Sequence, residues 1–212
     1  IAIAPSAQSP GALPRALGLP LGVVVEHASV TTLDWTLGER SGRVTGLAFA
    51  YRGDAAGHRL DDVTLAFARG RIAGHARLDA ASPFALEAAA SFTGSDDWTG
   101  IAAQARAGGT LARIDVDAQG VARDAHFDAR ARLTPFAAAA IDTLDVDAAA
   151  VDPATFDPSW PHASLAVTAH ARPAADGFAG TLSIANAAPG AFDAGRLPLT
   201  ALAANFAQHA KT

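Results

Sequence analysis

The sequence contains no cysteine and no methionine, and aromatic residues make up only 7% of its 212 positions. Without cysteine, neither a disulfide framework nor a thiolate metal site can form, and the redox compartment stays open. A chain that starts at Ile1 and has no methionine is expected to be an internal or processed piece of a longer gene product. No run of about 18 apolar residues is present, so no transmembrane helix or signal-peptide core is expected, and any membrane anchor of the parent lies outside this sequence. Charge of one sign is also missing. The 16 Lys+Arg and 21 Asp+Glu give a net charge of -5, spread evenly along the chain, which excludes the basic face that nucleic acid requires.

Motifs for chemistry are scarce too. The histidines (His27, His58, His75, His126, His162, His170 and His209) have no metal-ligand spacing. No glycine-rich phosphate loop or serine nucleophile elbow occurs. Asp115 with Asp117, and Asp145 with Asp147, place two carboxylates on one side of a strand. Such a pair can hold a cation or serve acid/base chemistry, but lying between Ile114, Val116, Leu144 and Val146 it reads as the solvent side. Asp61-Asp62, Asp96-Asp97 and Gly108-Gly109 read as turns, and Trp35, Trp98 and Trp160 as packing at loop edges. No catalytic residue, cofactor or metal is assigned.

What the chain has in quantity is alternation. Hydrophobic residues are 50% of it, enough to bury a sizeable surface. Many are alanines, as at 88–90, 137–140 and 148–150, so the interior is expected to be thin. The prolines at 5, 10, 14 and 20 make 1–20 an opening segment with at most a short turn at 13–17. From 21 to 206 short period-two runs follow one another, broken at the proline-rich 152–161, a loop or a single proline-started helical turn, and 207–212 forms a tail. The strongest runs put Leu47, Phe49, Val63, Leu65, Phe67, Phe84, Leu86, Ile114 and Val116 on one face, and further along Phe127, Leu144, Val146, Leu165, Val167, Leu182 and Ile184. Ten to thirteen strands are expected, with one short helix allowed near 136–141, where alanine is dense. The class is all-β. Strand spacing alone fits a sandwich, a barrel or a solenoid, and the loose repeat IDVDAQG (114–120) and LDVDAAA (144–150) favours the last.

Three segments, LDDVTLAFARGRIAGHARLDAASPFALEAAASFTG (60–94), VDPATFDPSWPHASLAVTAHAR (151–172) and LSIANAAPGAFDAGRLPLTALAANF (182–206), together resemble the TamB family. That family is the inner-membrane component of the translocation and assembly module, within the AsmA-like envelope proteins. The resemblance implies an elongated, curved β-sheet, a half-pipe or β-taco, whose apolar groove conducts phospholipid acyl chains across the periplasm. It also implies an outer-membrane β-barrel partner, engaged through regions outside this sequence, and an inner-membrane anchor likewise outside it. The residues named above are then the candidate groove lining. A structural spacer or docking module for outer-membrane protein assembly is the alternative, and a carbohydrate-active β-helix enzyme with spatially clustered carboxylates is a third reading.

Overall fold

The computed structural model describes residues 11–37, 40–137, 139–174 and 177–209. Twelve strands form one antiparallel sheet in strict sequence order. They are β1 (Val23–Leu37), β2 (Arg40–Gly53), β3 (Gly57–Phe67), β4 (Gly70–Asp79), β5 (Ala85–Gly94), β6 (Ile101–Thr110), β7 (Arg113–Ala122), β8 (Ala125–Leu133), β9 (Ile141–Val151), β10 (Leu165–Ala174), β11 (Gly177–Asn186) and β12 (Ala201–His209). Every connection joins neighbours, and those at Ala68-Arg69, Leu111-Ala112 and Arg123-Asp124 are two-residue turns, which antiparallel pairing permits and parallel pairing does not. β1 and β12 do not pair with each other, so the sheet is open. It is therefore neither a barrel nor a parallel β-helix, two architectures that strand spacing alone allows.

A second sheet is also absent among the described residues, and the surface shows it. The accessible area is 14126 Å², against about 9,000 Å² for a compact protein of this mass. No side chain among the described residues falls below 2% exposure, the thin interior that abundant alanine predicts. Register shifts between Val25 and Ala28, between Leu60 and Val63, and between Leu165 and Val167 add β-bulges to the ordinary twist, and the sheet curves along its length.

Four local expectations change. Asp61-Asp62 is no turn: it sits inside β3, with Asp62 at φ 52 forming the bulge that resets the strand. Gly108-Gly109 lies inside β6, paired with Glu87-Leu86 and Asp115-Ile114, and the turn comes two residues later. Gly109 has φ 121, and a Cβ there would strike the Arg113 carbonyl, so glycine serves close strand approach instead of a turn. No helix forms among the described residues of 136–141. Thr134 donates to the Ala139 carbonyl (2.7 Å) and its amide to that of Ala140 (2.9 Å), closing a loop before Ile141 enters β9. Residue 138 lies outside the described residues. Alanine's helix propensity loses because the flanking ladders already fix the ends of this stretch. Trp35 lies within β1, not at a loop edge.

The strand ends carry most of the well-buried groups. On one rim the opening segment straps the hairpins: Leu17 N–H donates to Ala80 O (2.9 Å), Leu19 N–H to Asp54 O (3.0 Å), and His58 Nε2 to Leu17 O (2.8 Å). On the other rim a 3-10 turn at Pro153–Thr155, proline-started as the sequence suggests, follows the Asp152 cap. Asp152 Oδ1 accepts from the amides of Ala154 and Ala163 (3.2 Å each), and its Oδ2 from His162 Nδ1 (2.8 Å). Asn186, 6% exposed, holds the last loop with all four side-chain bonding positions. Its Oδ1 accepts from Ser164 N–H (3.1 Å) and Ala188 N–H (3.0 Å), and its Nδ2 donates to Leu197 O (3.2 Å) and Leu199 O (2.9 Å). Replacing Asn186 by Ala strands these partners, so we expect a loss of about 2–4 kcal/mol in urea unfolding, with amide exchange accelerating first across 187–200. Wild-type stability in Asn186→Ala would show that the loop does not depend on it.

Candidate functional site

Strand register sorts the side chains into rows that cross the sheet. One row runs Leu65, Ile72, Phe92, Ala103, Gly120, Phe127, Ala148, Val167, Ile184 and Leu202. The next runs Val63, Gly74, Ala90, Ala105, Ala118, Ala129, Val146, Ala169, Leu182 and Ala204, and a third Leu60, Ala76, Ala88, Ala107, Val116, Ala131, Leu144 and Ala171. All three point to the same side. Between β4 and β8 the middle row holds nothing larger than a methyl group, which lowers the floor between its neighbours.

This face is apolar and nothing described covers it. Of the residues expected to line a groove, Phe84 and Leu165 are buried at 3% and 9% exposure. The rest are half-buried, as they could not be between two packed sheets, whose inner faces exclude water. An open concavity of about 300 Å³ lies on it, lined by Leu60, Val63, Ile72, Ala76, Ala88, Ala107 and Val116. Phe84 is a correction: at φ 58 it leaves the strand before β5 begins, and it is buried at the rim instead of lining the floor.

Aromatic side chains wall the floor along the other rim, where the turn Asp96–Trp98 and the Asp152 loop meet. Phe67 stacks on Phe92 (5.8 Å between centroids), Phe92 meets Trp98 edge-on (6.1 Å), and Trp98 meets Phe156 edge-on (6.1 Å). The Arg69 guanidinium lies 5.1 Å from the Trp98 ring centre. This cluster packs against buried Ile101, Ala122 and Ala125. The period-two pattern does not show the wall, because Trp98 and Phe156 stand in loops where no alternation marks them.

The opposite face is charged and partly paired, with Asp128 directly opposite Asp147. Arg106, Asp117, Arg130 and Asp145 form one row of alternating sign, and His170 continues it as a hydrogen-bond partner of Asp145. Asp115 accepts from Arg132 Nε (2.7 Å), and Asp117 faces Arg130 (3.5 Å). The D-x-D carboxylates thus lie on the solvent side, and Asp115 and Asp117 bind neighbouring arginines. Such exposed pairs contribute about 0–1 kcal/mol each and chiefly fix which face stays wet. A wider hollow of about 590 Å³ lies here, bordered by Arg59, Asp61, Thr64, His75, Ser91 and Arg106. A twisted sheet is a saddle, so each face is concave along one diagonal.

Comparison with protein-family models, with curated proteins and with solved structures returns no match.

Asp145 is the best-bonded carboxylate of the polar face. A hydrogen bond from His170 Nδ1 (2.7 Å), then one from Arg172 (2.9 Å), hold its carboxyl below the usual aspartate value. A depressed folded-state value means that the stabilisation is present at neutral pH and is lost as pH falls through that value, below about pH 4. Carbon-13 NMR titration should place the Asp145 midpoint below that of an unfolded aspartate, and His170→Gln should move it upward. An unchanged midpoint in that variant would show the histidine bond to be inconsequential.

Proposed function

We propose that the chain is a segment of a periplasm-spanning lipid conduit, in which the uncovered apolar face carries phospholipid acyl chains between inner and outer membranes. The observation that supports this most is that apolar rows cross the ten strands from β3 to β12 while their larger side chains stay mostly half-buried. Monomeric proteins rarely leave so wide an apolar surface without a use for it. The resemblance of 60–94, 151–172 and 182–206 to the TamB family supplies the compartment and the cargo. On that reading the parent protein is anchored in the inner membrane by a helix outside this sequence and meets an outer-membrane barrel through other regions.

The dimensions suit the task. A strand of ten residues spans about 33 Å, and twelve strands at about 4.8 Å spacing extend the face over about 50 Å. An acyl chain of about 16 carbons crossing water exposes methylenes at about 0.8 kcal/mol each, roughly 13 kcal/mol in all. A continuous apolar floor removes most of that barrier without covalent chemistry. Alanine in the middle row keeps room for a chain beside the larger Leu, Val and Phe of the flanking rows. The headgroup stays in water, beyond the rim.

A photoreactive amino acid placed at Val116, Leu65 or Val146 should therefore crosslink phospholipid in cells. The same group at Asp115 or Asp147, on the other face, should crosslink little. Equal labelling of both faces would overturn conduction and leave the spacer reading in its place.

A further inference from the structure

The two rims of the sheet differ in charge. On the rim of the aromatic wall every described connection carries Asp or Arg. Arg69 lies between β3 and β4, Asp96-Asp97 between β5 and β6, and Arg123-Asp124 between β7 and β8, with more in the 152–164 and 187–200 loops. On the opposite rim the described connections at 54–56, 80–84, 111–112 and 134–140 carry Asp54 alone. Its carboxylate already accepts from the amides of Ala56 (2.7 Å) and Gly57 (3.1 Å).

Arg69 stands where the apolar floor meets the charged rim. Its guanidinium lies over Trp98, 5.1 Å from the ring centre, and Trp98 touches Phe92 of the first apolar row. Stacking uses the flat face of the guanidinium, so the N–H groups along its edge are left for an oxyanion in the same plane. Among the described residues this side chain makes no ion pair and no hydrogen bond. Asp157 lies within reach of its field. The Ser159 amide (2.9 Å) and hydroxyl (2.8 Å) hold the Asp157 carboxyl below the usual aspartate value, and the charge of Arg69 adds to them. Both Ser159 bonds fall on Oδ1, so Oδ2 is open among the described residues. A guanidinium and a carboxylate thus stand near each other, unpaired, at the end of the floor.

We propose that this rim holds the hydrated headgroup of a zwitterionic amino-phospholipid, its phosphate on the edge of Arg69 and its ammonium on Asp157, while the acyl chains run along the strands toward the uncharged rim. The inference rests on the acyl-binding reading of the floor and fixes which way the lipid lies on it. The planar donor fork of an arginine suits phosphate, which it can grip with two parallel bonds, and an open carboxylate oxygen suits a primary ammonium. Aspartates outnumber arginines along this rim, which disfavours a headgroup of net negative charge. The lengths agree. The acyl chains of one leaflet fill about 15 Å of a bilayer's hydrocarbon core, and ten-residue strands such as β4 and β5 offer about 33 Å. At the far end of β4, Ala80, Ala81, Pro83 and the buried Phe84 present no charged side chain to a headgroup.

Two photoreactive variants of the chain, mixed with phosphatidylethanolamine vesicles, read the orientation. A photoreactive residue in place of Ala68 should capture the headgroup, so its adduct keeps phosphorus after mild alkali cleaves the acyl esters. The same residue in place of Ala81, beyond the other end of β4, should capture an acyl chain, and that adduct should lose its phosphorus. From vesicles of equal phosphatidylethanolamine and phosphatidylglycerol, native mass spectrometry should show the former bound in excess. Arg69→Gln should lower phosphatidylethanolamine binding about tenfold, the worth of one charge-assisted contact, and Asp157→Asn should remove the preference for it. Phosphorus retained equally at both positions, undiminished binding in a folded Arg69→Gln chain, a preference that survives Asp157→Asn, or an excess of phosphatidylglycerol would each overturn the headgroup site and leave acyl binding standing. No lipid at either position and none in the spectra would overturn both.

Discussion

The side-chain period of two, held in step across eleven successive antiparallel pairings, is the constraint on which everything else rests. A slip of one residue between any two strands would exchange the apolar and charged faces from that point onward. The rows Ala88, Ala107, Val116, Ala131 and Leu144, and Arg106, Asp117, Arg130, Asp145 and His170, remain sorted because the two-residue hairpins and the bulges correct register locally. At Asp62 the bulge adds a residue within β3, and Val63 returns to the face of Leu60.

A single layer must find its stability somewhere other than a closed core. Here the ladder bonds carry the length of the sheet, and the strand ends carry the packing. The Phe67, Phe92, Trp98 and Phe156 cluster closes one rim over Ile101, Ala122 and Ala125. Asp152 and Asn186 bind the longer loops of that rim through several hydrogen bonds each. The strap from Leu17 to Leu19 ties the opposite rim. Because those contacts lie at the margins, the central floor is left open, with Gly74, Ala90, Ala105, Ala118 and Ala129 leaving space above it.

The strands were legible from alternation because a sheet wet on one side prints its two faces directly into the sequence. The all-β class, the number of strands and the side to which Val63, Val116, Phe127, Val146 and Ile184 point all follow from that. What alternation cannot report is whether a second layer covers the apolar face: Leu144 reads the same in a sandwich core as on an open floor, and only its half-buried state separates the two. Backbone conformation hid the remainder. Asp62 and Phe84 have positive φ without being glycine, Gly109 is used inside a strand instead of a turn, and Trp98 acquires its role from loops far apart in sequence.

The central claim is that the open face accepts acyl chains, and native mass spectrometry of the folded chain recovered from phospholipid vesicles tests it most directly. Acyl binding on that face should give a series of peaks heavier than the bare chain by phospholipid masses, which weakens when Ala105 and Ala118 on the floor are replaced by Asp. A folded chain that leaves the vesicles with no bound lipid would contradict it.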